Sequence, residues 1–267
     1  TRHAVDAEET VRCISQTTRE PLRFYAVGGD GTLHQVVNGA MGSPHAEVAF
    51  IPSGMGNDFA RMFDPSAYFQ DISRQIHGTP VTIDVIRYND RYSINVLNIG
   101  LDAAVAQKAE EYRSKTPLKN AQAYLAGIVS VLRTNPGYEL QITVEDEASL
   151  QSNYTLTAIG NGAFCGGGFK ALPRASLQDG LLDVIMVNKL KRRTLLPLLT
   201  HYRNGKHLEH PGIEAVLSYQ QCTRLQITAE RGLQVCADGE LSTVDSLDIA
   251  VLPGKLRFSV PKGCRLI

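Results

Sequence analysis

The chain has no tryptophan, four methionines and five cysteines among its 267 residues. The cysteines, Cys13, Cys165, Cys222, Cys236 and Cys264, are odd in number, widely spaced and without a Cys-x-x-Cys pair. That argues against a disulfide framework and against a zinc site, and a reducing cytoplasm is the expected setting. No run reaches the roughly 18 uninterrupted apolar residues of a membrane-spanning helix. Charge of one sign is missing too, because 27 Lys and Arg balance 27 Asp and Glu. Without a global basic field, no nucleic-acid partner is expected. The histidines, His3, His34, His45, His77, His201, His207 and His210, follow neither a Ser-His-Asp nor a metal-ligand pattern and read as surface or packing residues. What is present is apolar mass, 43% of the residues, enough for one large domain or two ordinary ones. The opening Thr1-Arg2-His3 resembles neither a signal peptide nor an initiator sequence, so the first domain is expected to lack its N-terminal part.

The most informative segment is Phe24-Tyr25-Ala26-Val27-Gly28-Gly29-Asp30-Gly31-Thr32, an apolar strand that ends in a glycine turn around one aspartate. Glycines let backbone amides approach a ligand closely. Thr32 is expected to cap the following helix, Thr32 to Met41, whose free amides attract an anion. A second glycine element, Ser53-Gly54-Met55-Gly56-Asn57-Asp58, follows one strand later and is expected beside the first at the same sheet edge. Asn57 or Asp58 is expected to cap the next helix, and Ser53 and Asn57 offer hydrogen bonds to a ligand.

Residues 1–80 alternate between helix and strand patterns: helix at Ala7 to Thr17, strands at Leu22 to Val27 and Val48 to Ile51, helices at Asn57 to Phe63 and Pro65 to Ile76. That order implies a doubly wound, three-layer α/β domain. From residue 81 to about 254 the pattern turns β-rich. A hairpin at Val81 to Tyr88 and Tyr92 to Leu97 and a helix at Ala121 to Leu132 precede eight short strands between Glu139 and Val260, with a helix at Arg192 to Tyr202. This implies a β-sandwich-like second domain, and residues 255–267 have the option of returning to the first.

Two further runs carry chemistry-bearing residues. The glycine-rich stretch Gly160 to Gly168 leads to Ser176-Leu177-Gln178-Asp179-Gly180-Leu181, where Asp179 and nearby oxygens either bind a hard cation or make a turn. Asp238-Gly239-Glu240 closes a strand, and its carboxylates either serve phosphoryl transfer or flank a hairpin turn.

In order along the chain, Gly28-Gly29-Asp30-Gly31-Thr32, Val36-Val37-Asn38-Gly39, Gly54-x-Gly56-Asn57-Asp58-Phe59-Ala60-Arg61, Asn95-x-x-x-x-Gly100, Gly166-Gly167-Gly168, Asp179-Gly180-x-Leu182-Asp183 and Asp238-Gly239-Glu240 resemble the diacylglycerol kinase catalytic family, in particular its bacterial lipid kinases. The resemblance implies transfer of the γ-phosphoryl group of ATP to a lipid hydroxyl, in a cleft between a nucleotide domain and a lipid domain. It implies triphosphate binding by Gly28, Gly29, Asp30, Gly31 and Thr32, and nucleotide support from Ser53, Gly54, Gly56 and Asn57. It further implies catalytic work by Asp238, Glu240 and Asp30, and a structural Mg2+ at Asp179, Ser176 and Leu181. Asp238 is favoured over Asp30 as the base that deprotonates the acceptor. Gln35 and Gln178 stand where similar proteins carry acidic residues, and the family's opening strand and Asn-Pro phosphate loop have no counterpart. An NAD kinase-like enzyme, or a binding module without turnover, is the alternative. Peripheral contact with the inner face of the membrane is expected, and Arg113, Lys115, Lys119 and Lys189-Leu190-Lys191-Arg192-Arg193 either contact headgroups or form solvated charged surface. A homodimer is compatible with a sequence otherwise silent on oligomeric state.

Overall fold

The computed structural model describes residues 6–116, 120–134, 136–145 and 147–267, so Lys119 and His3 lie outside the described residues. The first domain begins α1 (Asp6–Thr17), β1 (Leu22–Gly28), α2 (Asp30–Ala40) and β2 (Ala46–Pro52). A 3-10 turn at Phe59–Met62, β3 (Phe63–Asp64), a second 3-10 turn at Ser66–Gln70 and α3 (Ile72–Ile76) follow. Then come β4 (Thr79–Tyr88), β5 (Arg91–Ser93), β6 (Val96–Gly100), α4 (Leu101–Lys115), α5 (Asn120–Thr134), β7 (Tyr138–Val144), β8 (Leu150–Gly160) and β9 (Leu182–Asn188). The chain ends in α6 (Arg192–Arg203), β10 (Leu217–Cys222), β11 (Arg224–Ala237), β12 (Glu240–Val260) and β13 (Arg265–Leu266).

Helix α2 buries Leu33, Val36, Val37 and Ala40, a spacing that puts one apolar stripe against β1 and β2, which pair in parallel. Gly39 admits α1 to that helix, since a side chain there would meet the Glu8 carbonyl and Val11. The helix starts at Asp30 with Gly29 as its N-cap and no side-chain cap, so Thr32 lies inside the first turn and does not cap it. The expected helix over 57–63 is a single 3-10 turn, and Asp58 at its start makes no capping bond. Phe59, Phe63 and Phe69 gather instead around Phe258 of β12, with ring centroids of Phe59 and Phe258 5.0 Å apart.

Two long strands serve both domains. Along β12, Leu256–Val260 pairs with Thr79–Ile83 of β4, and Phe258 stands beside Val48 of β2. The register shifts between Leu252 and Leu256, and beyond it Ile249–Leu252 pairs with Val85–Tyr88. Asp84 holds this irregularity: its oxygens accept from the Gly254 and Gly180 amides, each at 2.7 Å. The four short strands expected between 224 and 260 are therefore two bulged long ones, joined to the first domain's sheet by hydrogen bonds. The second domain packs Leu97, Ile142, Val184 and Val235 on the inner side of its strands. On the other side Leu101, Val105, Val131 and Leu195 of the helices cover Leu156, Ile185 and Val187. The architecture is an α/β domain followed by a β-sandwich-like domain.

Candidate active site

The two glycine loops meet backbone to backbone. Gly28 carbonyl accepts from the Ser53 amide at 2.7 Å and the Gly54 amide at 3.2 Å. A Cβ on Gly54 would overlap the Gly29 Cα, so side chains at either position would push the loops apart. Asn57, at φ 51°, folds its amide back on Gly54, accepting from its nitrogen and donating to its carbonyl, and so closes the second loop. Asp30 bridges the loops: Oδ1 accepts from the amides of Asp58 at 2.8 Å and Phe59 at 3.4 Å. Burial, then the neighbouring Asp58 and Asp238 charges, raise its pKa to about 6.

Asp58 reaches into the other domain. Its Oδ2 accepts from the Gly167 amide at 2.8 Å, which explains the glycine run: Gly166, Gly167 and Gly168 all adopt positive φ to present that amide. Burial raises the Asp58 pKa, opposed by that amide and by Arg61.

The strands β11 and β12 are joined by Asp238 and Gly239, at φ 48° and 91°, so the tight hairpin and the site coincide. The Asp238 carboxylate is buried and receives five donors: Ser93 hydroxyl, the Ile94, Asn95 and Val96 amides, and the His34 ring, at 2.7 to 3.2 Å. Asn95 continues the tie by donating to the Phe164 carbonyl at 2.8 Å. His34, 1% exposed, holds Asp238 through Nδ1 and approaches the Tyr88 hydroxyl with Nε2 at 3.4 Å. It is a member of the site and not a generic packing residue. Glu240 is exposed and its carboxylate lies over Gly31, where a Cβ would collide with it.

Away from this centre, exposed Asp179 accepts the Leu181 amide at 3.1 Å and Ser176 hydroxyl accepts the Gln178 amide at 3.4 Å, both turn-making bonds. Gln178 donates to the Thr82 carbonyl at 2.7 Å, so the amide in place of an acid anchors this turn to β4. Gln35 borders a smaller pocket with His34, Tyr88 and Arg91. Of the basic residues, Arg113 pairs with Glu110 and Lys115 with Glu111 within α4, whereas Lys191, Arg192 and Arg193 are exposed.

A pocket of 970 Å³ opens from Asp30, Asp58, Asp238 and Glu240 and runs along Ala106 and Ala109 of α4 and Leu125 and Ile128 of α5. Met55, Leu125 and Leu241 on its border are exposed apolar side chains. The sequence predicts the α5 side of this wall, as a helix at Ala121 to Leu132, but misses α4. Helix α4 buries Leu101, Ala103, Val105 and Ala109, and its many small and charged residues make a faint apolar stripe. No described helix is long and apolar enough to cross a membrane.

Residues 1–88 match the model of the diacylglycerol kinase catalytic domain, and residues 95–260 match that of the YegS C-terminal NAD kinase beta sandwich-like domain. The chain is 31% identical to "Probable lipid kinase YegS-like" of Shewanella frigidimarina, over 97% of this chain and 83% of that protein. It is 28% identical to "Putative lipid kinase YtlR" of Bacillus subtilis, over 97% of this chain and 87% of that one. Its fold matches the crystal structure of "a putative diacylglycerol kinase from Bacillus anthracis str. Sterne" with a TM-score of 0.74, at 23% identity, covering 98% of this chain and 84% of the other. With the catalytic domain and the sandwich domain matched in order on one chain, the protein belongs to the bacterial lipid kinases of the diacylglycerol kinase type.

Proposed function

We propose that the protein transfers the γ-phosphoryl group of ATP to the hydroxyl of a lipid alcohol such as diacylglycerol. One observation carries this reading: the glycine loops, a carboxylate with a pKa of about 6 and an apolar-walled pocket of 970 Å³ share one opening between the domains. The first-turn amides of α2 have no side-chain cap and face an incoming phosphate, with the Ser53–Gly56 backbone beside them. The acceptor's alkyl chains lie along α4 and α5.

Asp30 is the proton acceptor in this proposal. One of its oxygens is held by two amides, and a pKa near 6 leaves it ionised yet basic at neutral pH. The acceptor oxygen bonds to the γ-phosphorus as the bond to the ADP oxygen breaks, and the hydroxyl proton passes to Asp30. The family resemblance favours Asp238 as the base, but its oxygens already receive five donors. A carboxylate offers about four lone-pair sites, so Asp238 is better suited to hold α2, β6 and the hairpin turn in register.

Among the described residues no three His, Cys, Asp or Glu side chains group closely enough to hold a metal unaided. Magnesium is usually held by one or two carboxylates together with substrate phosphates, and Glu240 over Gly31 fits that mode. When bound there, the ion supplies charge neutralisation on the phosphate oxygens. Asp179, Ser176 and Leu181 bring one exposed carboxylate, whose Oδ1 accepts the Leu181 amide, and a magnesium held there would take the rest of its shell from backbone carbonyls and water. The exposed Met55, Leu125 and Leu241 at the pocket border suit contact with the membrane that carries the acceptor.

The test is transfer of labelled phosphate from ATP to a panel of lipid alcohols in mixed micelles. Transfer to at least one lipid is expected. Transfer to NAD with none to any lipid would overturn the reading.

A further inference from the structure

The pocket contains a carboxylate that phosphoryl transfer leaves unused. Asp102, in the first turn of α4, lines the same cavity as Asp30 and Asp58. Its Oδ2 accepts from the Tyr202 hydroxyl at 3.1 Å, which fixes the side chain from α6. Tyr124 and Cys165 line the pocket with both acidic groups, and burial, then the charges of Asp102 and Asp58, push up their pKa values. Burial raises the pKa of Asp102 itself to about 6. An acid is costly at this place, and tying α4 to α6 through Tyr202 asks only for a neutral acceptor, which an asparagine supplies. Asp102 lines the pocket together with the apolar Ala106, Ala109 and Ile128 and the polar Asn98, Glu110 and Arg113, of which Glu110 and Arg113 are paired with each other.

We propose that Asp102 recognises a second hydrogen-bond donor in the head of the acceptor lipid, a hydroxyl or ammonium group near the hydroxyl that is phosphorylated. Lipids with two donors in the head, such as monoacylglycerols and sphingoid bases, are then preferred over those whose reacting hydroxyl is the only donor, such as 1,2-diacylglycerols and long-chain primary alcohols. The assignment rests on the lipid-kinase reading of the site.

The test compares wild type with Asp102→Asn, which keeps an oxygen for Tyr202, on both lipid classes in mixed micelles. Loss of one charge-assisted hydrogen bond is expected to cut the ratio of kcat/KM for two-donor over one-donor lipids by about tenfold to a hundredfold. KM for ATP stays as in wild type, and the melting temperature at pH 7 does not fall, because the amide escapes the cost of the buried charge. Equal losses on both classes, or an unchanged ratio, overturn the proposal. Binding of fluorescent monoacylglycerol and diacylglycerol without ATP is measured alongside. If wild type phosphorylates no lipid, the kinase reading fails. A monoacylglycerol binding preference that disappears in Asp102→Asn still supports the assignment, and one that is absent or unchanged refutes it.

Discussion

Asp30 and Asp238 reach the same cleft from opposite domains, one where a parallel strand turns into a helix and the other on the two-residue turn of an antiparallel hairpin. Asp30 has two amides on one oxygen and two neighbouring carboxylates, and its pKa rises to about 6. Asp238 has five donors spread over both oxygens. The contrast separates a group kept reactive from a group kept still. An acid left short of donors in a partly buried place pays in stability and gains basicity, while a saturated one organises the backbone around it.

Exchanging each acid for its amide breaks that contrast most strongly. Asp30→Asn is expected to lower kcat by about a thousandfold, within the range for loss of a positioned base. Its stability moves the other way. The raised pKa of Asp30 means its contribution to stability is complete below the unfolded value near 3.8 and is lost as pH rises through about 6. The amide escapes that loss, so Asp30→Asn is expected to be about 1 kcal/mol more stable than wild type at pH 7, with the gain vanishing near pH 4, as read by urea denaturation. Asp238→Asn places a donor amide among five donors and is expected to cost about 3 kcal/mol, with turnover lost along with order at the hairpin.

A backbone test comes next in size. Gly54→Ala drives a methyl into the Gly29 Cα, and the loops that frame Asp30 have no slack to absorb it. A loss of about 1–3 kcal/mol in stability is expected, together with a raised KM for ATP. Gly31→Ala meets only the flexible end of Glu240, so it is expected to raise KM for ATP with little change in melting temperature. The smallest effect belongs to the far end of the pocket. Leu125→Ser, on an exposed border residue, is expected to weaken vesicle sedimentation by about two- to fivefold, the loss of roughly one buried apolar side chain's contact made only in part.

Much of the reactive end was legible in the residues because its signals are local. Glycines around an aspartate after an apolar strand, and Asp-Gly at a hairpin, announce their backbone shapes without reference to the rest of the chain. Tertiary partners are less legible. Nothing around Asp58 announces that its carboxylate meets the amide of Gly167, and His34 looks like any helical histidine until Asp238 is folded against it. Helix α4 escaped notice because alanines at 103, 104, 106 and 109 fill the place of larger apolar residues. The long strands β11 and β12 read as four short ones because Arg231-Gly232 and Pro253-Gly254 look like breaks, whereas the fold uses both regions as bulges. At Asp84 the second of these is pinned by two amides, a device with no sequence signature.

The difference between the two acids is read most directly from the pH dependence of kcat/KM for the lipid acceptor, which reports groups of the free enzyme. In wild type the acid limb is expected to have its midpoint near the Asp30 pKa of about 6, and Asp58→Asn is expected to move that midpoint down by removing a neighbouring charge that raises it. An acid limb that does not move in Asp58→Asn, or an Asp30→Asn variant that turns over at a near-normal rate, would contradict the assignment of Asp30 as the proton acceptor.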